Sequence, residues 1–454
     1  MDFSEKKVPL EKIGCFSATL RYEEIPLQAA DEAKTCIFDA LECCLAAYDD
    51  QRKKGTYQII RRNLPGFRST LVGTQGKASA EDASFYNIVT GSISARNEIN
   101  MDANGHPGTI LIPTAIAAAE EGGVSGKTLL ESIVASYETS IRFGKLIKKS
   151  QSIPAGFRRA AFSGAYGCAI ASAKAWGFSD VETANAAAMS LNCLCGLNEW
   201  RILGTGEDVF QNAFVARAGI YSARLAGAGI EAALGNMDGE FGILNIFGVK
   251  EESDVLFEGL GKEYLILTTK HKPVGACLSI QAPCQLAEKF VLEDGVTADQ
   301  VEEIIIQVPE RLTKMPWYGK KEDLDNPVFS IMSIPFGMAS TIDAGGLSGI
   351  EWMPPYNDRV TALMRKCRLL FDDYAKDHLG NTGFHATVYL KNGKILQKEQ
   401  FGFEPLNPQQ VEERFLYSAE RVLGKEKAQK AAELIHNLEK LGSVSELTDC
   451  LMKP

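Results

Sequence analysis

Apolar residues recur at helical spacing through most of the first half of the chain. In 27–49, Ala30, Ala33, Ile37, Ala40, Leu41 and Leu45 fall on one stripe, as in a helix with one buried side. The stretch from Pro113 to Glu121 begins on proline and stops at Gly122-Gly123, the usual asymmetry of a helix start and end. Ser125-Gly126-Lys127 opens a longer helix through Leu129, Leu130, Ile133, Val134, Tyr137, Ile141 and Phe143. Ala160 to Trp176 and Val181 to Leu197 are rich in small residues. Small side chains let helix axes approach closely, which predicts central helices of a bundle. Another helix begins near Asn212, its end bracketed by Gly229 and Gly235.

The period changes near residue 264. Tyr264-Leu265-Ile266-Leu267 and Ile304-Ile305-Ile306-Gln307-Val308 are β-rich runs. His385 to Lys391, then Asn392-Gly393, then Lys394-Ile395-Leu396 reads as a hairpin with an Asn-Gly turn. After Pro405 the helical spacing returns, with Val411, Phe415, Ala419 and Val422, then Ala431 to Leu441. The pattern predicts a mainly α protein: a large all-helical domain, 1–264 completed by 405–454, around an inserted smaller α+β lid domain at 265–404.

Composition narrows the function classes. Of 454 residues, 45% are hydrophobic and 23% charged, which fits a folded soluble chain and not a disordered one. Forty-eight Lys and Arg against 58 Asp and Glu give a net charge of −10. With no basic run, nucleic acid is a poor partner. The apolar run Ile110 to Ala119 is broken by Pro113 and Thr114 and falls far short of the ~20 residues of a membrane span. The first seven residues lack the apolar stretch of a signal peptide. Eleven scattered Cys without a CxxC pair argue against a disulfide framework or a zinc site. A cytoplasmic protein without a metal is the expectation.

Standard catalytic motifs are missing. Gly204-Thr205-Gly206 lacks the flanking strand and third glycine of a dinucleotide loop. There is no P-loop, no HxxxH or HExxH and no G-x-S-x-G elbow. Three polar segments remain. The first runs from Asn97 through Asn100, Asp102 and Asn104 to His106, which sits between Gly105 and Pro107 just before a helix. An imidazole exchanges a proton near neutral pH, as acid–base work requires; the alternative is a surface turn histidine. The second, Lys270-His271-Lys272, runs into a Pro-Val-Gly turn and reads either as a cationic clamp for carboxylates or as a solvated basic loop. The third, Arg158-Arg159, either holds an anion at a helix N-terminus or is a surface basic pair. Tyr137-Glu138 with Arg142 reads as a structural i, i+4 pair.

The order of these segments resembles the MmgE/PrpD family, which includes 2-methylcitrate dehydratase, cis-aconitate decarboxylase and iminodisuccinate epimerase. The likeness rests on Gly105-His106-Pro107-Gly108 with Ile112-Pro113-Thr114-Ala115, and on Ser136-Tyr137-Glu138 with Arg142. It continues through Gly156-Phe157, Ser163-Gly164-Ala165-Tyr166-Gly167, Ala216-Arg217-Ala218-Gly219, Lys272-Pro273 and Leu406-Asn407-Pro408. The resemblance implies a helical domain with a lid, a homodimer, no metal or organic cofactor, and a small-molecule carboxylate substrate. It implies a cofactor-independent lyase, breaking a bond next to a carboxylate by dehydration or decarboxylation. An isomerase or epimerase moving an α-proton, or a catalytically silent ligand-binding homologue, stays open. His106 and Lys272 carry over as catalytic residues. Asn97, Asn100, Asp102, Asn104, Arg158, Arg159, Gln211, Lys270, His271 and Gln281 are the expected substrate contacts. The site departs from the family pattern. Arg158 stands where the dehydratases and decarboxylases carry a His, Asp208 and Gln211 where they carry a Lys with a nearby His, and Gln281 near another His.

Overall fold

A computed structural model of the chain describes residues 8–47, 50–103, 105–154, 156–194, 196–322, 326–350, 352, 354–372 and 383–454, with only the main chain of Ala160. Asn104, His378 and the expected helix end at 48–49 lie outside the described residues. The fold is mainly α with a smaller α+β region. The chain divides into two compact units. One is Met1–Asn198, Glu207–His271 and Asn407–Pro454; the other is Glu199–Gly206 with Lys272–Leu406.

The first unit is helical. Its principal helices include α1 (Leu27–Leu45), α2 (Pro107–Gly122), α3 (Gly126–Lys148), α4 (Phe162–Ala175), α5 (Asp208–Gly227) and α6 (Pro408–Leu423). α4 packs on α2, α3 and α5, and every residue of α4 is buried. The small residues make this possible. A Cβ on Gly167 would overlap Ser140 Oγ of α3, and one on Gly219 of α5 would overlap the Ala165 carbonyl.

Two sequence expectations give way here. The helix placed at Pro113 starts at Pro107 and runs through Pro113. An interior proline removes one backbone hydrogen bond, but α2 is buried from Pro107 to Glu120, and packing on both sides keeps it helical. The run at Tyr264 is not a strand: Leu265–Thr268 is a 3-10 turn. The Glu138 carboxylate accepts the amides of Leu265 and Ile266, each at 2.9 Å, and takes them from any ladder. Glu138 also binds Arg142 at 2.6 Å, as its i, i+4 spacing suggested.

In the first unit, β1 (Ile99–Asn100) pairs antiparallel with β2 (Thr269–Lys270). The second unit is built on a four-stranded sheet of β3 (Val301–Val308), β4 (Cys367–Phe371), β5 (Gly383–Leu390) and β6 (Ile395–Phe401), in the order β4-β3-β5-β6. β3 and β4 run parallel and the other pairs antiparallel. Val301, Ile304, Ile306 and Val308 are buried, and the Asn392-Gly393 turn joins β5 to β6 with Gly393 at φ +84°.

No described helix is long and apolar enough to cross a membrane.

Candidate functional site

His106 occupies the N-cap position of α2, and Pro107 takes the first helical position, where its missing N–H costs nothing. The next amide, Gly108 N–H, is an orphan of the first turn. It donates to Glu98 Oε1, so the cap comes from an upstream side chain and not from His106. The His106 ring returns to the same residue: Nδ1 lies 2.6 Å from the Glu98 carbonyl oxygen. A carbonyl only accepts, so Nδ1 carries the proton and Nε2 is the basic nitrogen of the neutral ring. The imidazole is half-buried.

The loop between Glu98 and His106 is held from several sides. Asn100 and Gly105 exchange backbone bonds of 2.9 and 3.2 Å. The Asn100 side chain donates to Thr268 Oγ1 and accepts from the Ala103 amide, both at 2.9 Å. Asn100 is therefore fully committed to the loop. Through β1 and β2, Lys270 pairs with Ile99, which sets His271 beside this segment. Asn97 is buried and Asp102 half-buried at the turn. A cavity of about 10 Å³ lies beside His106, lined by Ser140 of α3 and by Ser163 and Gly164 of α4, the helix that follows Arg158-Arg159. That volume suits a single water, not a carboxylic acid.

Glu98 is 2% exposed. Its Oε1 also accepts from the Tyr137 hydroxyl at 3.1 Å, while Oε2 has no partner among the described residues. Burial, with the charge of Asp39, pushes the carboxyl up to about 8, against the pull of the Gly108 amide, His271 and Tyr137. At neutral pH it is mostly protonated.

His271 is the opposite case. Burial disfavours its charged form, but Asp39 Oδ2 at 3.3 Å and Glu32 Oε1 at 3.0 Å overcome that and push it up to about 10. Arg414 of α6 reaches both Asp39 oxygens at 3.2 and 3.3 Å. Glu42 binds Arg96 at 2.8 Å and Ser418 at 3.1 Å. Three carboxylates (Glu32, Asp39, Glu42) thus face three cations (Arg96, His271, Arg414), a balance kept when Glu98 is neutral. Glu32, Cys36 and His271 place donor atoms within 4.8 Å of one another. Both His271 nitrogens are already taken by carboxylates, and burial raises the Cys36 thiol well above its usual range. The donor set therefore favours protons over a metal ion.

Among the other expected contacts, Arg158 and Gln211 come together. The Arg158 guanidinium donates to the Asp208 carbonyl at 2.7 Å and to Gln211 Oε1 at 3.5 Å. Arg159 points elsewhere, bonded to the carbonyls of Ser150 and Ile153 at 3.0 and 2.9 Å. In the second unit, Lys272 Nζ and Gln281 Nε2 meet on the Ala276 carbonyl, at 3.0 and 2.9 Å. Gln281 also binds Val274 through both its amide atoms, so it clamps the Lys272 loop. His271, expected as a substrate contact, is instead 4% exposed and enclosed by carboxylates.

Sequence reasoning missed Glu98, Asp39 and Glu42. The last two fall among the apolar positions of α1 and are fully buried. Acids interrupting a helix face of Ala33, Ile37 and Ala40 are the signal that could have found them.

The model of the MmgE/PrpD N-terminal domain matches residues 11–255; the chain belongs to the MmgE/PrpD family. It is similar to two cis-aconitate decarboxylases, one of Aspergillus terreus (strain NIH 2624 / FGSC A1156) and one of Aspergillus terreus, each 24% identical over 303 residues. The match covers 64% of this chain and 61% of each relative.

Proposed function

We propose that the chain is a cofactor-independent lyase acting on a small carboxylate, removing CO₂ or water next to a carboxylate, with His106 as the proton-transfer group. One observation carries this reading: the 2.6 Å bond from His106 Nδ1 to the Glu98 carbonyl, which orients the ring and makes Nε2 the basic nitrogen of the neutral imidazole. In a decarboxylation the C–C bond breaks and its electron pair spreads onto the adjacent carboxylate system. The carbon then takes a proton from an Nε2–H imidazolium. In a dehydration the neutral Nε2 removes the α-proton, and the same proton leaves with the hydroxyl as water. Arg158 is the proposed carboxylate anchor of the first unit, and Lys272 is a separate candidate in the second, tested by Lys272→Ala. A homodimer is proposed from the family resemblance.

The test is a panel of small di- and tricarboxylic acids, cis-aconitate included, incubated with the full chain in D₂O and read by NMR. Release of CO₂ or water supports the lyase. Deuterium uptake at carbon with no other change in composition would replace it by an epimerase. Thermal stabilisation without turnover would replace it by a binding protein; a ligand at 100 times its Kd stabilises by ~2.7 kcal/mol.

A further inference from the structure

Glu98 touches the His106 turn at two points. Its main-chain carbonyl takes the ring Nδ1–H, and its side chain takes the Gly108 amide, two residues beyond the ring. The carboxyl is unevenly used: Oε1 accepts from Gly108 and Tyr137, whereas Oε2 accepts from nothing described. Thr109 Oγ1 is likewise buried without a described partner. Both residues line one cavity of about 10 Å³, together with Asn97 and Asp39. An anionic Oε2 buried without a partner would be desolvated and uncompensated; a proton on that oxygen removes the penalty.

We propose that Glu98 is a positioning residue for His106 that works as a neutral acid, its Oε1 holding the Gly108 amide and its Oε2 carrying the proton. The idea rests on the reading of His106 as the proton-transfer group. The groups facing Glu98 are Asp39 and Cys36 of α1, Tyr137 of α3, the Gly108 amide of α2, and His271 after β2. Asp39 raises the carboxyl, while the Gly108 amide, His271 and Tyr137 lower it, and burial outweighs them. A neutral carboxyl keeps one acceptor and gains one donor, which is the hydrogen-bonding pattern of a glutamine side chain. Charge is therefore dispensable at position 98 and shape is not.

The experiment compares the full-length wild type, Glu98→Gln and Glu98→Ala. Histidine ¹⁵N NMR reads the His106 tautomer, assigned by the signal lost in His106→Asn. Wild type and Glu98→Gln should both show the Nδ1–H form when the ring is neutral. Glu98→Ala should show a mixture of tautomers. For whichever acid the panel identifies, Glu98→Gln should keep kcat/KM within about threefold, and Glu98→Ala should lose on the order of 10²-fold, as a misplaced catalytic group does. If Glu98→Ala does not fold, Glu98→Gln decides alone. Loss of the Nδ1–H tautomer in Glu98→Gln would overturn the proposal, as would an unchanged tautomer in Glu98→Ala. Infrared spectra at pH 7 supply a second arm. A protonated carboxyl band should be present in wild type and lost in Glu98→Gln, and its absence from wild type overturns the neutral acid. These spectra need no turnover, so they stand or fall apart from the assignment of a lyase.

Discussion

Replacing His271 by glutamine should destabilise the chain in a way that fades as pH rises. The imidazolium is 4% exposed and sits between Glu32 and Asp39 at 3.0 and 3.3 Å. Its folded value of about 10 lies above the reference 6.5. Between those two values the folded state holds a proton that the unfolded state has released. Wild-type stability therefore falls with pH across that window, by at most ~1.4 kcal/mol per pH unit. The benefit is full below pH 6.5 and is lost as pH passes about 10. Near pH 6, His271→Gln leaves the buried Asp39 and the half-buried Glu32 short of a cation, and breaking a buried pair costs roughly 3–5 kcal/mol. Urea unfolding followed by tryptophan fluorescence, at pH 6, 7, 8, 9 and 10, measures the gap between the two proteins. Glu98, which His271 holds lower, titrates higher in the variant, so Glu98→Gln serves as the common background for both proteins. The gap should shrink steadily from pH 7 to 10. A constant gap, or a stabilised variant at pH 6, would refute the charged imidazolium.

Three further outcomes follow from the same packing. A Cβ on Gly144 would lie 2.8 Å from both the Cα and the carbonyl oxygen of Ala103. Gly144→Ala should thus cost about 1–3 kcal/mol in thermal unfolding and disturb the His106 NMR signal, since Ala103 belongs to the loop that carries it. Lys272→Ala, read by steady-state kinetics on the acid identified, should raise KM about 10- to 100-fold if the ammonium binds substrate, the worth of one charged hydrogen bond; an unchanged KM removes Lys272 from the site. Burial raises the thiols of Cys36, Cys43 and Cys44, so a thiol-specific dye should label them only after unfolding, and rapid native labelling would contradict their placement.

Elements with a strong local signal were legible in the sequence. The Ala- and Gly-rich stretch around Ala165 announced a central helix, and Asn392-Gly393 announced its hairpin, because both depend on residues close in the chain. Tyr264 to Leu267 misled because its β-rich composition was overruled by a carboxylate from Glu138, 127 residues away from Leu265. Pro113 misled in the other direction, since burial of α2 outweighs one missing hydrogen bond. At the site, His106 stood out because a His-Pro step before a helix is a local feature. Glu98 did not, since its role comes from the fold: burial removes its charge, and a turn brings its side chain to the Gly108 amide. His271 read as part of a carboxylate clamp or a solvated basic loop for the same reason. Nothing in Lys270-His271-Lys272 shows that Asp39 of α1 will close over the imidazole.

The most direct measurement is turnover by His106→Ala, with the acid that wild type consumes, in D₂O. Proton transfer by a positioned imidazole is worth on the order of 10²–10⁴ in rate. The account requires a loss of that size in both product formation and deuterium incorporation, with the urea midpoint close to wild type. Turnover at the wild-type rate by a folded His106→Ala protein would contradict it.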